Sequence, residues 1–173
     1  MIILLGESCA GKSTIEKRLD LNRIISYTTR PMRMGESNHV DYHFITDKKF
    51  DTKFKNNDFV EYTYYNGWNY AVAGEDCKDD SIVTVEPVGY RMLKRNKNLN
   101  ITCFYIKVDE RERMIRMMKR GDIVMEAIRR IISDSGLFSG IEHEIDYIIK
   151  NPDGKLEDAI DEIDEILTKN NIY

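Results

Sequence analysis

Short apolar runs alternate along the chain with segments of helical periodicity. Continuous apolar runs are typical of strands buried on both faces, and they predict strands at residues 2–5, 24–27, 81–86, 101–108 and 145–149. Helical spacing predicts helices over residues 87–97, 110–120 and 126–134, and then a final amphipathic helix marked by Leu156, Ile160, Ile163 and Leu167. This alternation predicts an α/β fold with a doubly wound parallel sheet.

The pattern changes between residues 28 and 75, where polar and apolar positions alternate. Alternation at residues 40–44 and 59–64 predicts half-buried strands, and Asn66-Gly67 between two such runs predicts a hairpin turn. Thr46 is expected to cap a short helix within the same region. We therefore predict a small mixed β insert on the α/β core.

Composition and charge narrow the classes of protein that this chain can represent. The 173 residues are 42% hydrophobic and 32% charged, which is ordinary for one globular α/β domain. A net charge of −4 argues against non-specific binding to nucleic acid or to an anionic membrane. Three irregularly spaced cysteines form neither a disulfide framework nor a zinc site, so a reduced, cytoplasmic setting is expected. The apolar run at residues 2–5 is too short for a signal peptide, and no segment reaches transmembrane length.

A complete phosphate-binding loop follows the first predicted strand. Residues 6–13 read GESCAGKS, which fits G-x-x-x-x-G-K-[ST], and a helical segment comes next. Backbone amides of such a loop and the helix N-terminus bind phosphate, while Lys12 is expected to reach the outer phosphates of a nucleoside triphosphate. The Ser13 hydroxyl is the expected magnesium ligand. The residues predicted to bind the triphosphate are Gly6, Ser8, Ala10, Gly11, Lys12, Ser13 and Thr14.

A second group of polar residues follows the strand predicted at residues 24–27. Arg30 and Arg33 lie three residues apart, and Tyr42 returns on the next predicted strand. Two guanidinium groups and a phenol that converge on one point suit a phosphate monoester dianion. Behind a complete phosphate loop, this interpretation is favoured over two surface arginines and a core tyrosine.

Residues 26–44, SYTTRPMRMGESNHVDYHF, closely resemble the signature of the guanylate kinase family. The matching positions are Thr28, Thr29, Arg30, Arg33, Glu36, Asp41, Tyr42 and Phe44, whereas His39 stands where the family usually has glycine. Further along the chain, residues 59–61 resemble the strand with the guanine-binding glutamate, and Tyr70 resembles a tyrosine that holds the acceptor phosphate. Residues 144–151 resemble the family's E-x-D-Y-x-[IV]-x-N strand. The family's arginine-rich lid has similar residues in this chain at Arg116, Arg120, Gly121 and Arg130.

The resemblance implies a nucleoside monophosphate (NMP) kinase that transfers the γ-phosphoryl group of ATP, with Mg²⁺, to GMP or dGMP, as a monomer or homodimer. It implies a phosphate-loop core at residues 1–27 and 76–173, an NMP-binding insert at 28–75 and a helical lid at about 110–134. Catalytic roles are implied for Lys12, Arg30, Arg116, Arg120 and Arg130, whereas Arg113 and Lys119 are expected on a solvated helix face. The acceptor-binding residues implied are Ser26, Arg30, Arg33, Tyr42, Glu61, Tyr70, Val72 and Glu86.

The departures from the family pattern cluster around the base and not around the phosphates. Val72 replaces a hydroxyl residue, Glu86 replaces aspartate, and Thr84 replaces an acidic residue expected near the waters of magnesium. Because Val72 can donate no hydrogen bond to the guanine oxo group, we expect weaker selection for guanine than in family members with the hydroxyl. A nucleotide with a related or modified base is therefore an alternative acceptor. Two alternatives are a kinase of a non-nucleotide phosphate, disfavoured by Glu61, and a non-catalytic peptide-binding module, disfavoured by the complete phosphate loop.

Overall fold

The computed structural model describes residues 1–65 and 67–171 as nine strands and six α-helices, with strand and helix alternating as predicted outside the insert. In chain order, the elements are β1 (Ile2–Leu5), α1 (Lys12–Arg18), β2 (Asn22–Arg23), β3 (Tyr27–Thr28), β4 (His43–Phe44), α2 (Asp47–Lys55), β5 (Phe59–Tyr65), β6 (Trp68–Ala73), β7 (Ser81–Thr84), α3 (Pro87–Arg95), β8 (Thr102–Lys107), α4 (Glu110–Arg120), α5 (Val124–Leu137), β9 (Tyr147–Lys150) and α6 (Leu156–Lys169).

Five parallel strands form the main sheet, in the order β2-β7-β1-β8-β9. Ile2 and Leu4 of the central strand point to one face, where they pack in a buried cluster with side chains of α1 and α6. Ile3 and Leu5 point to the other face, where they pack with side chains of α3 and with Phe138 after α5. Helices therefore cover both faces, and the predicted doubly wound α/β fold is confirmed.

Four strands form a second, mixed sheet in the order β4-β3-β6-β5. Strands β5 and β6 pair antiparallel, with Tyr65 opposite Trp68, so the predicted hairpin is present, although its Asn66 lies outside the described residues. The predicted cap of α2 is also present, because the Thr46 hydroxyl accepts a hydrogen bond from the Lys49 amide at 3.3 Å. The boundaries proposed for the insert and the lid stay predictions.

The strand predicted at residues 24–27 differs from the structure, and the difference determines where Ser26 lies. Residues 24–27 are not a single strand, because the chain crosses there from the parallel sheet to the mixed sheet. The Ile24 amide still bonds to the carbonyl of Ile82 in β7 at 2.9 Å, whereas the Ser26 carbonyl accepts from His43 in β4, also at 2.9 Å. Ser26 consequently lies between the two sheets, where it faces a cavity.

Candidate active site

The phosphate loop leaves the carboxyl end of β1 at Gly6, and its geometry requires glycine there. The φ angle of Gly6 is 151°, and a Cβ atom at this position would lie 2.7 Å from the carbonyl oxygen of Ile106 in β8. Gly11 has a φ angle of 98° and directly precedes α1. The Lys12 ammonium group donates to the carbonyl groups of Gly6 and Glu7, which holds it against the loop.

A cavity of about 690 Å³ lies beside this loop and the first turn of α1. Asn151, which follows β9, supports the loop by donating from Nδ2 to the Ala10 carbonyl at 2.8 Å. Arg116 of α4 donates to the carbonyl groups of Cys9 at 3.2 Å and Asn151 at 2.7 Å. Of the residues predicted to bind the triphosphate, Gly6 and Ser8 do not line this cavity, whereas it is lined by Ala10, Gly11, Lys12, Ser13 and Thr14. Two arginines predicted in the lid, Arg116 and Arg120, line it as well.

The phosphate-loop cavity also contains a buried carboxyl group that the sequence analysis missed. Glu16 of α1 lines it, and burial raises the pKa of this carboxyl to about 7, against the opposing charge of Arg23. Thr84 lines the same cavity. The spacing of Ser13 and Glu16, one helical turn apart, is the signal that could have identified it.

A second cavity, of about 260 Å³, lies between the mixed sheet and the carboxyl end of β7. It brings together every residue predicted at the acceptor except Val72, together with one of the predicted lid arginines. These lining residues are Ser26, Arg30, Arg33, Tyr42, Glu61, Tyr70, Glu86 and Arg130. Three residues, Glu36, Tyr42 and Thr84, line both cavities, so the two cavities adjoin.

Arg30 is held in this second cavity, called the acceptor cavity after the residues predicted there, by an ion pair that the sequence analysis did not assign. Its guanidinium group donates to both carboxylate oxygens of Glu36, at 2.9 and 2.7 Å, and lies 5.4 Å from the ring centroid of Tyr42. Glu36 also accepts from the backbone amide of Arg33 at 2.7 Å. The hydrogen bonds from Arg30 lower the pKa of Glu36 below its ordinary value. Arg30 is thus oriented before any phosphate binds.

Two buried carboxyl groups lie at the other end of the acceptor cavity. Burial raises the pKa of Glu61 to about 7, and the nearby Glu86 adds to this shift. Burial also raises the pKa of Glu86, whose Oε2 atom is buried without a hydrogen-bond partner within the described residues. Gly89 of α3 leaves room for Glu61, because a Cβ atom there would lie 2.4 Å from Oε1 of the carboxyl group. These acceptor atoms suit a ligand edge that is rich in N–H donors.

Val72 does not line the acceptor cavity as the sequence analysis expected. Its side chain is fully buried in the core cluster that contains Ile3 and Leu5. Two residues that the sequence analysis missed, Thr63 and Tyr65, line the cavity instead. They share one face of β5 with Glu61, and strict alternation along the strand is the signal that could have identified them.

Two of the arginines predicted in the lid, Arg120 and Arg130, are also held by carboxylates. Arg120 donates from Nε to Asp122 at 2.9 Å, and Arg130 donates to Glu126 at 3.1 Å and lies 3.8 Å from Asp122. Arg120 lines the phosphate-loop cavity whereas Arg130 lines the acceptor cavity, so Asp122 connects cations on the two sides.

Two residues of α4, Arg113 and Lys119, were expected on a solvated helix face, and the structure places only one of them there. Lys119 is exposed as predicted, with a side-chain exposure of 68%. The prediction for Arg113 is wrong, because this residue is only 3% exposed and pairs with the buried Asp134 at 3.2 Å. The pair joins α4 to α5, which helical spacing within α4 alone could not reveal.

A parallel sheet, a complete phosphate loop and an adjoining cavity lined by Arg30, Arg33 and Arg130 define a P-loop kinase. The chain belongs to the guanylate kinase family, whose family model matches residues 1–170. It is 31% identical to a guanylate kinase of Rickettsia typhi, with 88% of this chain and 83% of the relative covered. It is 28% identical to a guanylate kinase of Fusobacterium nucleatum subsp. nucleatum, with coverage of 96% and 95%.

The fold is similar to the crystal structure of guanylate kinase from Anaplasma phagocytophilum, with a TM-score of 0.74 at 19% identity. The likeness covers 98% of this chain and 85% of the other. Within residues 1–65 and 67–171, no helix is long and apolar enough to cross a membrane.

The pKa of Glu61 leads to a prediction about the stability of the protein without ligand. The unfolded carboxyl ionises near 4.5, whereas the folded one ionises near 7, so folding becomes less favourable as pH rises between these values. Glu61→Gln cannot ionise and should be more stable than wild type above about pH 7, by on the order of 3 kcal/mol. The difference should vanish towards pH 4.5. Urea unfolding across this pH range measures it, and a difference that is constant with pH would contradict the assignment.

Proposed function

We propose that this protein is an ATP-dependent kinase that transfers the γ-phosphoryl group of ATP to GMP or dGMP. The observation that carries the proposal is the shared border of the two cavities, which is lined by Glu36, Tyr42 and Thr84. A triphosphate on the loop and a monophosphate on the arginines would meet at this border. Such proximity is the main requirement of phosphoryl transfer, since the acceptor phosphate is already ionised and needs no strong general base.

On the donor side, the loop amides and Lys12 would hold the ATP phosphates. Hard oxygen ligands near the loop fit Mg²⁺: the Ser13 hydroxyl would ligate it, while Glu16 and Thr84 line the same cavity. The phosphates of the nucleotide and water would supply the remaining ligands. Bound Mg²⁺ neutralises charge on the phosphates.

On the acceptor side, Arg30, Arg33, Tyr42 and Tyr70 would bind the monophosphate. The Glu36 carboxylate keeps Arg30 in its cavity-facing orientation, so little side-chain entropy is lost on binding. Lid residues Arg116, Arg120 and Arg130 would surround the transferring group with positive charge.

The base would lie against the two buried carboxyl groups. Ionised Glu61 can accept from the ring N–H and the exocyclic amine of guanine, with Glu86 and Ser26 beside it. Thr63, which lines the cavity where Val72 does not, would donate a hydrogen bond from its hydroxyl group to the guanine oxo group.

Two alternative functions are disfavoured. Glu61 argues against a base-free phosphate as the acceptor, and the complete phosphate loop argues against a peptide-binding module. We also infer a cytoplasmic location, because the three cysteines are free.

A coupled assay with ATP and a panel of GMP, dGMP, dTMP and AMP tests the proposed reaction. We expect turnover with the guanine nucleotides and a loss of at least about 1000-fold in kcat for Lys12→Ala, because Lys12 would contact the charge that develops during transfer. Circular dichroism should show that the variant is folded. A folded Lys12→Ala protein with substantial turnover would overturn the donor-site assignment.

Gly89→Ala should displace the Glu61 carboxyl group, since the new Cβ would lie 2.4 Å from Oε1. We expect kcat/KM for GMP to fall by about tenfold or more, with KM for ATP unchanged. Gly136→Ala is a matched control, because it is also a helix glycine and has no neighbour within 4 Å of an added Cβ. The control should gain about 0.5–1 kcal/mol of stability and keep its activity. Equal activity in both variants would contradict the role of Glu61.

Thr63→Val should remove one hydrogen bond to the oxo group while it preserves the shape of the cavity. We expect kcat/KM for GMP to fall about five- to tenfold, whereas that for a 2-aminopurine nucleotide, which lacks the oxo group, should change little. Val72→Ser should lower stability without changing this preference, because Val72 is a core residue. If Val72→Ser alone altered the preference, Val72 and not Thr63 would read the base.

A further inference from the structure

The peptide bond between Glu7 and Ser8 is held by hydrogen bonds on both of its sides. Its carbonyl oxygen accepts from the Lys12 ammonium group and from the Ala10 amide, each at 3.1 Å. Its N–H group, on Ser8, donates to Oδ2 of Asp134 at 2.8 Å. Asp134 belongs to α5, far along the chain, so a lid helix supplies an acceptor for the phosphate loop.

Arg113 of α4 pairs with the Asp134 carboxylate, which accepts the hydrogen bond from the Ser8 N–H group. Its Nη1 atom lies 3.2 Å from Oδ2 of Asp134, and its Nη2 atom lies 3.9 Å from Oε1 of Glu7. Arg113 and Asp134 are each only 3% exposed. Within the described residues, Nε of Arg113 and Oε2 of Glu7 are buried without hydrogen-bond partners.

Burying such a network is a weak way to stabilise a fold, because desolvation of the charges offsets much of their attraction. The ion pair of Arg113 and Asp134 is incompletely satisfied, and its contacts converge on two adjacent residues of the phosphate loop, the side chain of Glu7 and the amide of Ser8. A role in the geometry of that loop accounts for both facts, whereas a purely stabilising role accounts for neither.

We propose that Asp134 and Arg113 are positioning residues that orient Lys12 through the Glu7–Ser8 peptide. The peptide is planar and trans, so its N–H and C=O groups point in opposite directions. An acceptor that fixes the Ser8 N–H therefore fixes the Glu7 carbonyl, which holds the Lys12 ammonium group together with the carbonyl of Gly6. Arg113 holds the carboxylate of Asp134 in place through its ion pair at 3.2 Å. The kinetic consequence of this inference rests on the proposed kinase function.

Two double variants separate this role from the stability of the fold. Arg113→Met/Asp134→Asn and Arg113→Met/Asp134→Ala both lack the buried charges, but only the Asn variant keeps an oxygen that can accept from Ser8. We expect KM for ATP in the Ala variant to be at least about five times that in the Asn variant. The Ala variant should also have a lower kcat, whereas KM for GMP should be equal in the two variants. Arg91→Met/Glu144→Gln, which removes an exposed ion pair away from both cavities, should match wild type.

Thermal unfolding of each variant, with and without MgATP, provides a second readout that needs no acceptor. The rise in Tm caused by MgATP should be smaller for the Ala variant than for the Asn variant. Equal values of both KM for ATP and Tm shift in the two folded variants would overturn the proposal, as would a parallel increase in KM for ATP and GMP. If wild type turned over no nucleoside monophosphate, the proposed function would fail, while the Tm comparison would still decide this inference.

If the Ala variant does not fold, Asp134→Glu provides the decisive comparison. It keeps the charge and the partner of Arg113, but it moves the acceptor oxygens by one methylene group. We expect a raised KM for ATP and a wild-type KM for GMP. A wild-type KM for ATP in this folded variant would overturn the proposal.

Discussion

The close packing of the phosphate loop against the carboxyl ends of the parallel strands determines where the rest of the site can lie. Gly6 approaches the backbone of β8 so closely that a Cβ atom would be 2.7 Å from Ile106 O. Asn151, at the end of β9, bonds to Ala10 at 2.8 Å. Thr84 is the last residue of β7, and Glu86 follows two residues later. Both cavities consequently open at the edge where open α/β sheets bind ligands.

The charges around the acceptor cavity are separated into two regions of opposite character. At one end, Arg30 is paired with Glu36 and already points into the cavity. At the other end lie Glu61 and Glu86, and burial raises the pKa of both carboxyl groups. A ligand with an anionic group at one end and N–H donors at the other complements both regions, whereas a simple sugar phosphate complements only the first. The electrostatics therefore support a nucleotide acceptor independently of the sequence resemblance.

Sequence reasoning was sufficient wherever a local pattern determines the structure. The phosphate loop, the alternation of strands and helices, and the cap at Thr46 depend on neighbours within a few residues. It was insufficient where the neighbours are distant in the chain. Arg113 reads as a solvated position on α4, yet Asp134 of the next helix buries it.

The same reason explains why the base end of the cavity was assigned incompletely. Thr63 and Val72 lie on paired strands, and periodicity shows only which face a side chain occupies. Val72 lies deeper, among core residues, so its distance from the ligand depends on how the mixed sheet packs against the parallel sheet. That packing is set by the crossing at residues 24–27, which an apolar run alone represents as one strand. A period of two residues indicates which face of the sheet a side chain occupies, but it does not indicate how deeply that side chain lies in the fold.

Tyr42 shows how the border between the cavities can serve transfer without a general base. Burial, together with the nearby Tyr70, raises the pKa of Tyr42 to about 12, so its phenol stays protonated at neutral pH. A protonated phenol beside Arg30 can only stabilise an oxyanion by donation, and it cannot withdraw a proton. Both groups would therefore stabilise the acceptor phosphate as an anion while it attacks. The chemistry available at this border is charge stabilisation and alignment, which is what phosphoryl transfer between two phosphates requires.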